Sequence, residues 1–229
     1  VVCLAVEQEV TACTSRNVVA RIEGTDKKDE ILTITAHYDS VPEGPGAYDN
    51  MAGAAIIMEL CRYFQQYRLR RTMEFVWFGA EEKGLLGSRD YIRVHESELG
   101  AHRFNMNVDL AGQLIGGNVL GVTGEASVCD KLLEIADGAG IGASVKNQIW
   151  GSDSNSFAWK GIPAMTLNRD GFGMHTRYDT IDLLSAWSLE RSAILLGCIA
   201  DALGNAEVFP FERKMPEKFI GELDEYMCR

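Results

Sequence analysis

Short runs rich in β-branched residues alternate with longer helical patterns along this chain, and that alternation limits its fold more than any other feature. Residues 31–36 and 73–78 have the composition of core strands, and the largely apolar stretch 51–67 between them has that of a buried helix. Such alternation is typical of sheets whose strands run mostly parallel and are connected by helices. The sequence therefore predicts an α/β sandwich around a central, mostly parallel sheet.

Two further expectations concern the start of the chain. Residues 17–22 and 31–36 are short strand patterns separated by a polar, glycine-containing loop, which predicts a hairpin-like pair. The first 16 residues do not fit the alternation, and we interpret them as the remnant of a preceding segment. The other predicted elements are strands at 104–110, 118–122, 144–149 and 163–167 and helices at 85–94, 127–139, 154–160 and 188–203.

The composition is that of a globular protein. The chain has 229 residues, of which 46% are hydrophobic and 24% charged, and no shift in composition divides it, so we expect one domain over residues 1–229. Its formal net charge of −11 argues against a nucleic-acid partner and against binding to an anionic membrane surface. No apolar run reaches about 18 residues, so no transmembrane helix is predicted.

The cysteines and the first residue limit other inferences. The six cysteines lack CxxC spacing, so the sequence predicts neither a zinc–thiolate site nor a disulfide framework. The chain begins with Val rather than Met, and we expect it to be a trimmed piece of a longer protein. Its compartment and its oligomeric state are therefore left open.

Acidic or imidazole side chains follow five of the predicted core segments. In open α/β sheets the loops at the carboxyl ends of the strands form the binding site. Each of these residues alone has an ordinary explanation, such as a helix cap, a turn or a solvated pair, but their joint placement favours a metal site. Two histidines with several carboxylates and no cysteine suit one or two Zn²⁺ ions with open coordination. The residues are His37, Asp39, Asp49, Glu81, Glu82, Asp109, His175 and Asp179.

The motifs around these residues resemble those of the co-catalytic dizinc aminopeptidases. That family also contains glutamate carboxypeptidases, glutaminyl cyclases and the non-catalytic transferrin receptors. The resemblance extends from about residue 17 to about residue 203. It is carried by the segments 37–40, 46–53, 78–88, 151–153 and 175–180, together with Asp109.

The resemblance implies a three-layer αβα sandwich around a mixed sheet of about eight strands. It also implies two zinc ions per chain, one held by His37 and Asp109 and the other by Glu82 and His175. Asp49 would bridge the two ions, and the peptide bond that follows it would be cis.

The same resemblance implies roles for three further acids. Glu81 would be the general base that deprotonates the zinc-activated water. Asp39 would orient the imidazole of His37, and Asp179 would support the loop that carries His175.

Two positions depart from the family pattern. Ser154 stands where relatives often have a histidine, and Met174 stands where some have a tyrosine, so the donor that stabilises the tetrahedral oxyanion is left open. Met174 and Tyr178 are weak candidates for the wall of the substrate site. Arg169 is a third weak candidate, either as a cation for a substrate carboxylate, a role that Arg177 could also fill, or as the partner of Asp170 or Asp153 in an ion pair.

The resulting hypothesis is a metallo-aminopeptidase that hydrolyses the N-terminal peptide bond of peptide substrates. Three alternatives remain open. The first is a carboxypeptidase of the same family, the second is a glutaminyl cyclase with one zinc, and the third is a non-catalytic binding module.

Overall fold

One mixed sheet of seven strands forms the centre of the described chain. The computed structural model describes residues 2–9 and 11–228. The sheet has the order β1-β3-β2-β4-β7-β5-β6, and only the β1–β3 and β5–β7 pairs are antiparallel. The predicted mixed, mostly parallel sheet is therefore confirmed, with seven strands in the described residues where about eight were expected. The strands are β1 Val18–Ile22, β2 Lys27–His37, β3 Arg71–Phe78, β4 His102–Val108, β5 Asn118–Thr123, β6 Ala143–Asn147 and β7 Ala164–Arg169.

Helices cover both faces of the sheet. One apolar core lies between the sheet and α1, α3 and α5, and a second lies between the sheet and α2, α4 and α6. Along β3 the side chain of Phe75 faces the first core while Val76 and Phe78 face the second, as the period of two in a strand requires. The three-layer sandwich is therefore confirmed. The helices are α1 Ala52–Gln66, α2 Leu86–Val94, α3 Ala126–Gly138, α4 Ser154–Trp159, α5 Ala186–Asn205 and α6 Glu217–Met227.

The central strands carry buried polar side chains toward the second core. Thr35 of β2 donates to Asn107 of β4 at 2.8 Å, and Asn107 donates in turn to the hydroxyl of Ser152 at 2.8 Å. On β7, Thr166 is hydrogen-bonded to Ser154 at 2.7 Å. Because a buried polar group must be paired to avoid a large free-energy cost, these bonds fix the segment before α4 against the sheet.

The structure corrects two expectations about the elements. The strands β1 and β2 do not form a hairpin, because β3 lies between them and pairs antiparallel with β1, with Val18 opposite Trp77. Helix α6 was not predicted, although Phe219, Leu223 and Met227 follow helical spacing and form its buried face.

Three further expectations concern the first 16 residues, the cysteines and membrane-spanning helices. The described residues among the first 16 belong to no helix or strand, and Val1 and Val10 are not among them. All six cysteines are unpaired, as expected. Within the described ranges, none of the helices combines the length and apolarity needed to cross a lipid bilayer.

Candidate metal centre

Three adjacent parallel strands deliver the predicted site residues to one edge of the sheet. His37 is the last residue of β2, Glu81 and Glu82 follow β3, and Asp109 follows β4. Since β3, β2 and β4 are neighbours that run in the same direction, their carboxyl ends lie side by side. Asp49 joins them from the segment before α1.

The histidines and acids form two groups that share Asp49. His37 Nε2 lies 3.3 Å from Asp49 Oδ1 and 3.4 Å from Asp109 Oδ1. His175 Nε2 lies 3.1 Å from Asp49 Oδ2 and 3.1 Å from Glu82 Oε2. Each carboxylate oxygen of Asp49 therefore faces a different imidazole.

The donor set fits divalent cations. In each of these two groups the nitrogen and oxygen donors lie within 4.8 Å of one another, and a third such group consists of His37, Glu81 and Glu82. Imidazole and carboxylate donors of this kind are typical zinc ligands. A buried oxygen of Glu82, Oε1, has no hydrogen-bond partner in the described part of the chain, which is costly unless a cation or another donor meets it. The side chain of His175 is 48% exposed, so the cluster is open to solvent on that side.

Two further acids hold the backbone around this cluster. Asp39 accepts hydrogen bonds from the backbone amides of Glu81 at 3.0 Å and Glu82 at 3.2 Å, and its Oδ1 lies 3.6 Å from His37 Nδ1. This position is consistent with the expected orienting role. The carboxylate therefore connects the end of β2 to the turn after β3.

Asp179 bonds the end of the His175 loop to the segment before α1. Its Oδ1 accepts from the backbone amide of Tyr48 at 2.6 Å, and its Oδ2 accepts from that of Asp49 at 3.0 Å. Because the loop of His175 continues into Asp179, this carboxylate fixes the position of that loop relative to Asp49.

Several site residues have unusual backbone conformations. Ala80, Leu110 and His175 are non-glycine residues with φ values of 59°, 64° and 57°, and each lies beside or within the cluster. Such conformations persist where the surrounding structure determines them, often at functional sites. The peptide bond between Asp49 and Asn50 is cis, as predicted.

The close packing of acids shifts their protonation. Burial raises the pKa of Glu81 to about 9, and the negative charges of Asp153 and Asp109 add to the effect. For His37, burial alone would lower the pKa, but the charge and hydrogen bond of Asp109 raise it well above its usual range. A divalent cation in the cluster would favour the ionised form of Glu81.

The sequence indicated the 151–153 motif but did not assign its residues a role at the cluster. Ser152 donates to Asp109 Oδ2 at 2.5 Å, and Asn168 donates to the backbone carbonyl of Asp109 at 3.1 Å. Asp153 is fully buried and does not cap α4 through its side chain. Neither of its carboxylate oxygens has a hydrogen-bond partner in the described residues, and burial raises its pKa to about 7. The hydrogen bond from Ser152 to Asp109 is the contact at the cluster that the sequence did not predict.

Arg169 is used inside the fold. It is buried, and its guanidinium donates to the carbonyls of Gln113 at 2.6 Å and Leu114 at 3.2 Å and to the side chain of Asn118 at 3.2 Å. Among the described residues it makes no ion pair with Asp153 or Asp170. The expectation that Arg169 meets a substrate carboxylate is therefore corrected, because its donors hold the loop before β5.

The other two weak candidates lie at the surface beside His175. Met174 is 41% exposed and Tyr178 is 61% exposed. The ring of Tyr178 lies 4.8 Å from the guanidinium carbon of Arg177, and Arg177 also donates to its hydroxyl at 2.6 Å. Both side chains are therefore accessible at the open side of the cluster.

Comparisons with known proteins agree with this geometry. Residues 17–197 match the sequence profile of peptidase family M28. The chain belongs to this family. Aminopeptidase YwaD from Bacillus subtilis is 30% identical over 175 residues, which cover 76% of this chain and 35% of that protein. Carboxypeptidase Q from Rattus norvegicus is 26% identical over 200 residues, which cover 84% of this chain and 42% of that protein.

Solved structures show the same relationship. A zinc aminopeptidase from Bacillus subtilis superposes with a TM-score of 0.76 at 26% identity, covering 88% of this M28 chain and 53% of its own. The resemblance inferred from the motifs is thus confirmed. The M28 chain spans about a third to a half of the length of these relatives.

Proposed function

We propose that this M28 chain forms a single catalytic domain of a zinc-dependent aminopeptidase that hydrolyses the N-terminal peptide bond of peptides. The observation that carries the proposal is the pair of donor groups that share Asp49. The relatives named aminopeptidases support the choice of reaction.

Two zinc ions would be held by five side chains. His37 and Asp109 would bind one ion, Glu82 and His175 the other, and Asp49 both. When bound, such a pair polarises the scissile carbonyl and favours ionisation of water. The chain's own part is to fix the ligands, through Asp39 and Asp179, before substrate arrives.

Glu81 would be the general base. Its Oε2 lies 4.0 Å from His37 Nε2, whereas Asp49 and Asp109 place an oxygen 3.3 Å and 3.4 Å from that nitrogen. It would take a proton from the attacking water and pass it to the nitrogen of the leaving amine. Its buried environment keeps bulk water from competing for that proton.

A carboxypeptidase is the second candidate, supported by the similarity to carboxypeptidase Q. Such an enzyme must bind the free carboxylate at the end of its substrate, for which Arg is well suited. Arg169 is already bonded to loop carbonyls, whereas Arg177 lies at the exposed side next to Tyr178. Arg177 is therefore a cation at the open side of the cluster that could bind a substrate carboxylate.

One experiment separates these functions. The zinc-loaded chain is analysed for metal and tested with aminoacyl anilides, with N-blocked dipeptides that have a free carboxylate, and with N-terminal glutamine peptides. We expect two zinc ions and hydrolysis of the anilides. Hydrolysis of the blocked dipeptides alone would show the carboxypeptidase, and one zinc with cyclisation of glutamine would show the cyclase. Two zinc ions without turnover of any substrate would favour a binding module.

A further inference from the structure

Tyr226 lies on α6, beyond the part of the chain that matches the family profile. The helix is fixed to the sandwich, because Phe219 and Leu223 are buried in the second core. Trp159 of α4 donates its indole N–H to Asp224 at 2.8 Å. The half-buried side chain of Tyr226 is therefore held in a defined place by the packing of its helix.

The hydroxyl of Tyr226 lies next to the segment that contacts the cluster. A Cβ atom on Gly151 would lie 3.4 Å from Tyr226 Oη. The following residue, Ser152, is the one that donates to Asp109. The pKa of Tyr226 is raised, first by burial and then by the negative charge of Glu81.

The side chains at positions 174 and 154 offer the cluster no free donor. Met174 has a thioether that cannot donate, and the hydroxyl of Ser154 is buried and bonded to Thr166. Peptide hydrolysis develops negative charge on the substrate carbonyl oxygen, and prearranged donors stabilise that charge. A free hydroxyl beside Gly151 would supply what positions 174 and 154 do not.

Most of the remaining tyrosines do not offer such a hydroxyl. Tyr63 and Tyr67 belong to the far end of α1, about 20 Å along the helix from its start at the cluster. In the described chain, Tyr226 makes no hydrogen bond through its hydroxyl. Three other hydroxyls donate within the fold, Tyr38 to the carbonyl of Arg16, Tyr48 to that of Arg169 and Tyr91 to Glu74. The hydroxyl of Tyr178 accepts from Arg177 and keeps its own proton, but its side chain is 61% exposed.

We propose that Tyr226 is a catalytic residue whose hydroxyl donates a hydrogen bond to the carbonyl oxygen of the bound substrate. The inference rests on the proposed function, since it assumes that a peptide carbonyl is the group that Glu81 and the metal ligands serve. It assigns a role to α6, which carries no other residue of the candidate site.

The test compares zinc-loaded wild type with Tyr226→Phe, which keeps the ring and removes the hydroxyl. Loss of one such donor lowers kcat by about 10²–10³-fold in other hydrolases, and we expect a loss of about 10²-fold here with KM changed less than about threefold. Zinc content and the thermal midpoint should stay the same. Tyr63→Phe is the matched control and should keep full activity.

A binding measurement provides a readout independent of turnover. Calorimetry compares the phosphonic acid analogue of the preferred N-terminal amino acid, whose tetrahedral group resembles the transition state, with the amino acid itself. We expect Tyr226→Phe to weaken the analogue at least tenfold and to leave the amino acid unchanged.

The outcomes distinguish this inference from the function on which it rests. An active wild type with an equally active Tyr226→Phe variant that binds the analogue as tightly would overturn the role of Tyr226 alone. A zinc-loaded wild type that neither hydrolyses the substrates nor binds the analogue would overturn the proposed function and this inference with it.

Discussion

Adjacent glutamates in the turn after β3 have different surroundings. Glu82 Oε2 lies 3.1 Å from His175 Nε2, whereas the nearest contact of Glu81 to a histidine is 4.0 Å, between its Oε2 and His37 Nε2. Asp39 binds both backbone amides, so the turn is fixed and the two side chains diverge from a common support. The structure thus provides a physical basis for separate roles of base and ligand.

Glu81→Gln and Glu82→Gln should therefore fail in different ways. Removal of a general base costs about 10²–10⁴-fold in turnover, so Glu81→Gln should lose activity and keep its zinc. Glu82→Gln should lose zinc affinity itself, because it weakens a ligand. Metal analysis after dialysis against a weak chelator, together with kcat at saturating zinc, measures both. Equal loss of zinc in the two variants would contradict this division.

His102 makes stability depend on pH. It is buried, and its Nδ1 lies 2.7 Å from Thr33 Oγ1. Burial lowers its pKa to about 4 from an ordinary value of 6.5. As the pH falls, the imidazole is protonated near pH 6.5 in the unfolded chain but only near pH 4 in the folded chain. The unfolding free energy therefore decreases between pH 6.5 and pH 4.

A variant isolates this contribution. The shift corresponds to about 3 kcal/mol at most. Urea unfolding at pH 7 and pH 4.5 should therefore show wild type losing about 2–3 kcal/mol more than His102→Gln over that interval. The same loss in both proteins would mean that His102 takes up its proton without unfolding.

At the level of the elements, the start of α1 is a crowded part of the site. Asn50 donates to the carbonyl of Val108 at 2.8 Å and accepts from the amide of Gly53 at 3.2 Å. A Cβ on Gly53 would lie 2.5 Å from Asn50 Oδ1 and 2.8 Å from the Val108 carbonyl. The helix can begin at this depth only because residue 53 has no side chain.

Gly53→Ala should consequently destabilise the fold. Overpacking of this kind costs about 1–3 kcal/mol, and the displaced Asn50 should also weaken zinc binding through its neighbour Asp49. Gly221→Ala is the matched control, because nothing lies within 4 Å of its added Cβ in α6. That control should gain about 0.5–1 kcal/mol of stability from helix propensity. Thermal unfolding of both variants measures the two changes in stability. A Gly53→Ala variant as stable as wild type would contradict the prediction.

The elements also show where sequence patterns were informative. The alternation of strands and helices and the acids at strand ends were predictable, because local composition sets both. The pairing of β1 with β3 was not, since that contact joins residues far apart in the chain while the β1–β2 loop looks like a hairpin turn. Arg169 and Ser152 illustrate the same limit at the site, because their partners come from other loops.

For the whole molecule, the candidate metal centre joins five segments from different parts of the chain. Its ligands come from the ends of β2, β3 and β4, from the segment before α1 and from the loop after β7. Carboxylates gathered in this way repel one another unless cations neutralise them. A cation that binds the folded chain and not the unfolded chain therefore stabilises all five segments at once.

Zinc should accordingly raise the thermal midpoint of the whole chain in one transition. At a free concentration about 1,000 times the dissociation constant the stabilisation is about 4 kcal/mol, which for a domain of this size corresponds to about 8–16 °C. Asp49→Asn should abolish most of the increase, because the residue shared by both donor groups loses its charge. Asp182→Asn, which changes an exposed acid outside those groups, should keep it. Calorimetric scans of chelated and zinc-loaded protein measure the shift, and an equal increase in the Asp49→Asn variant would show that zinc binds elsewhere.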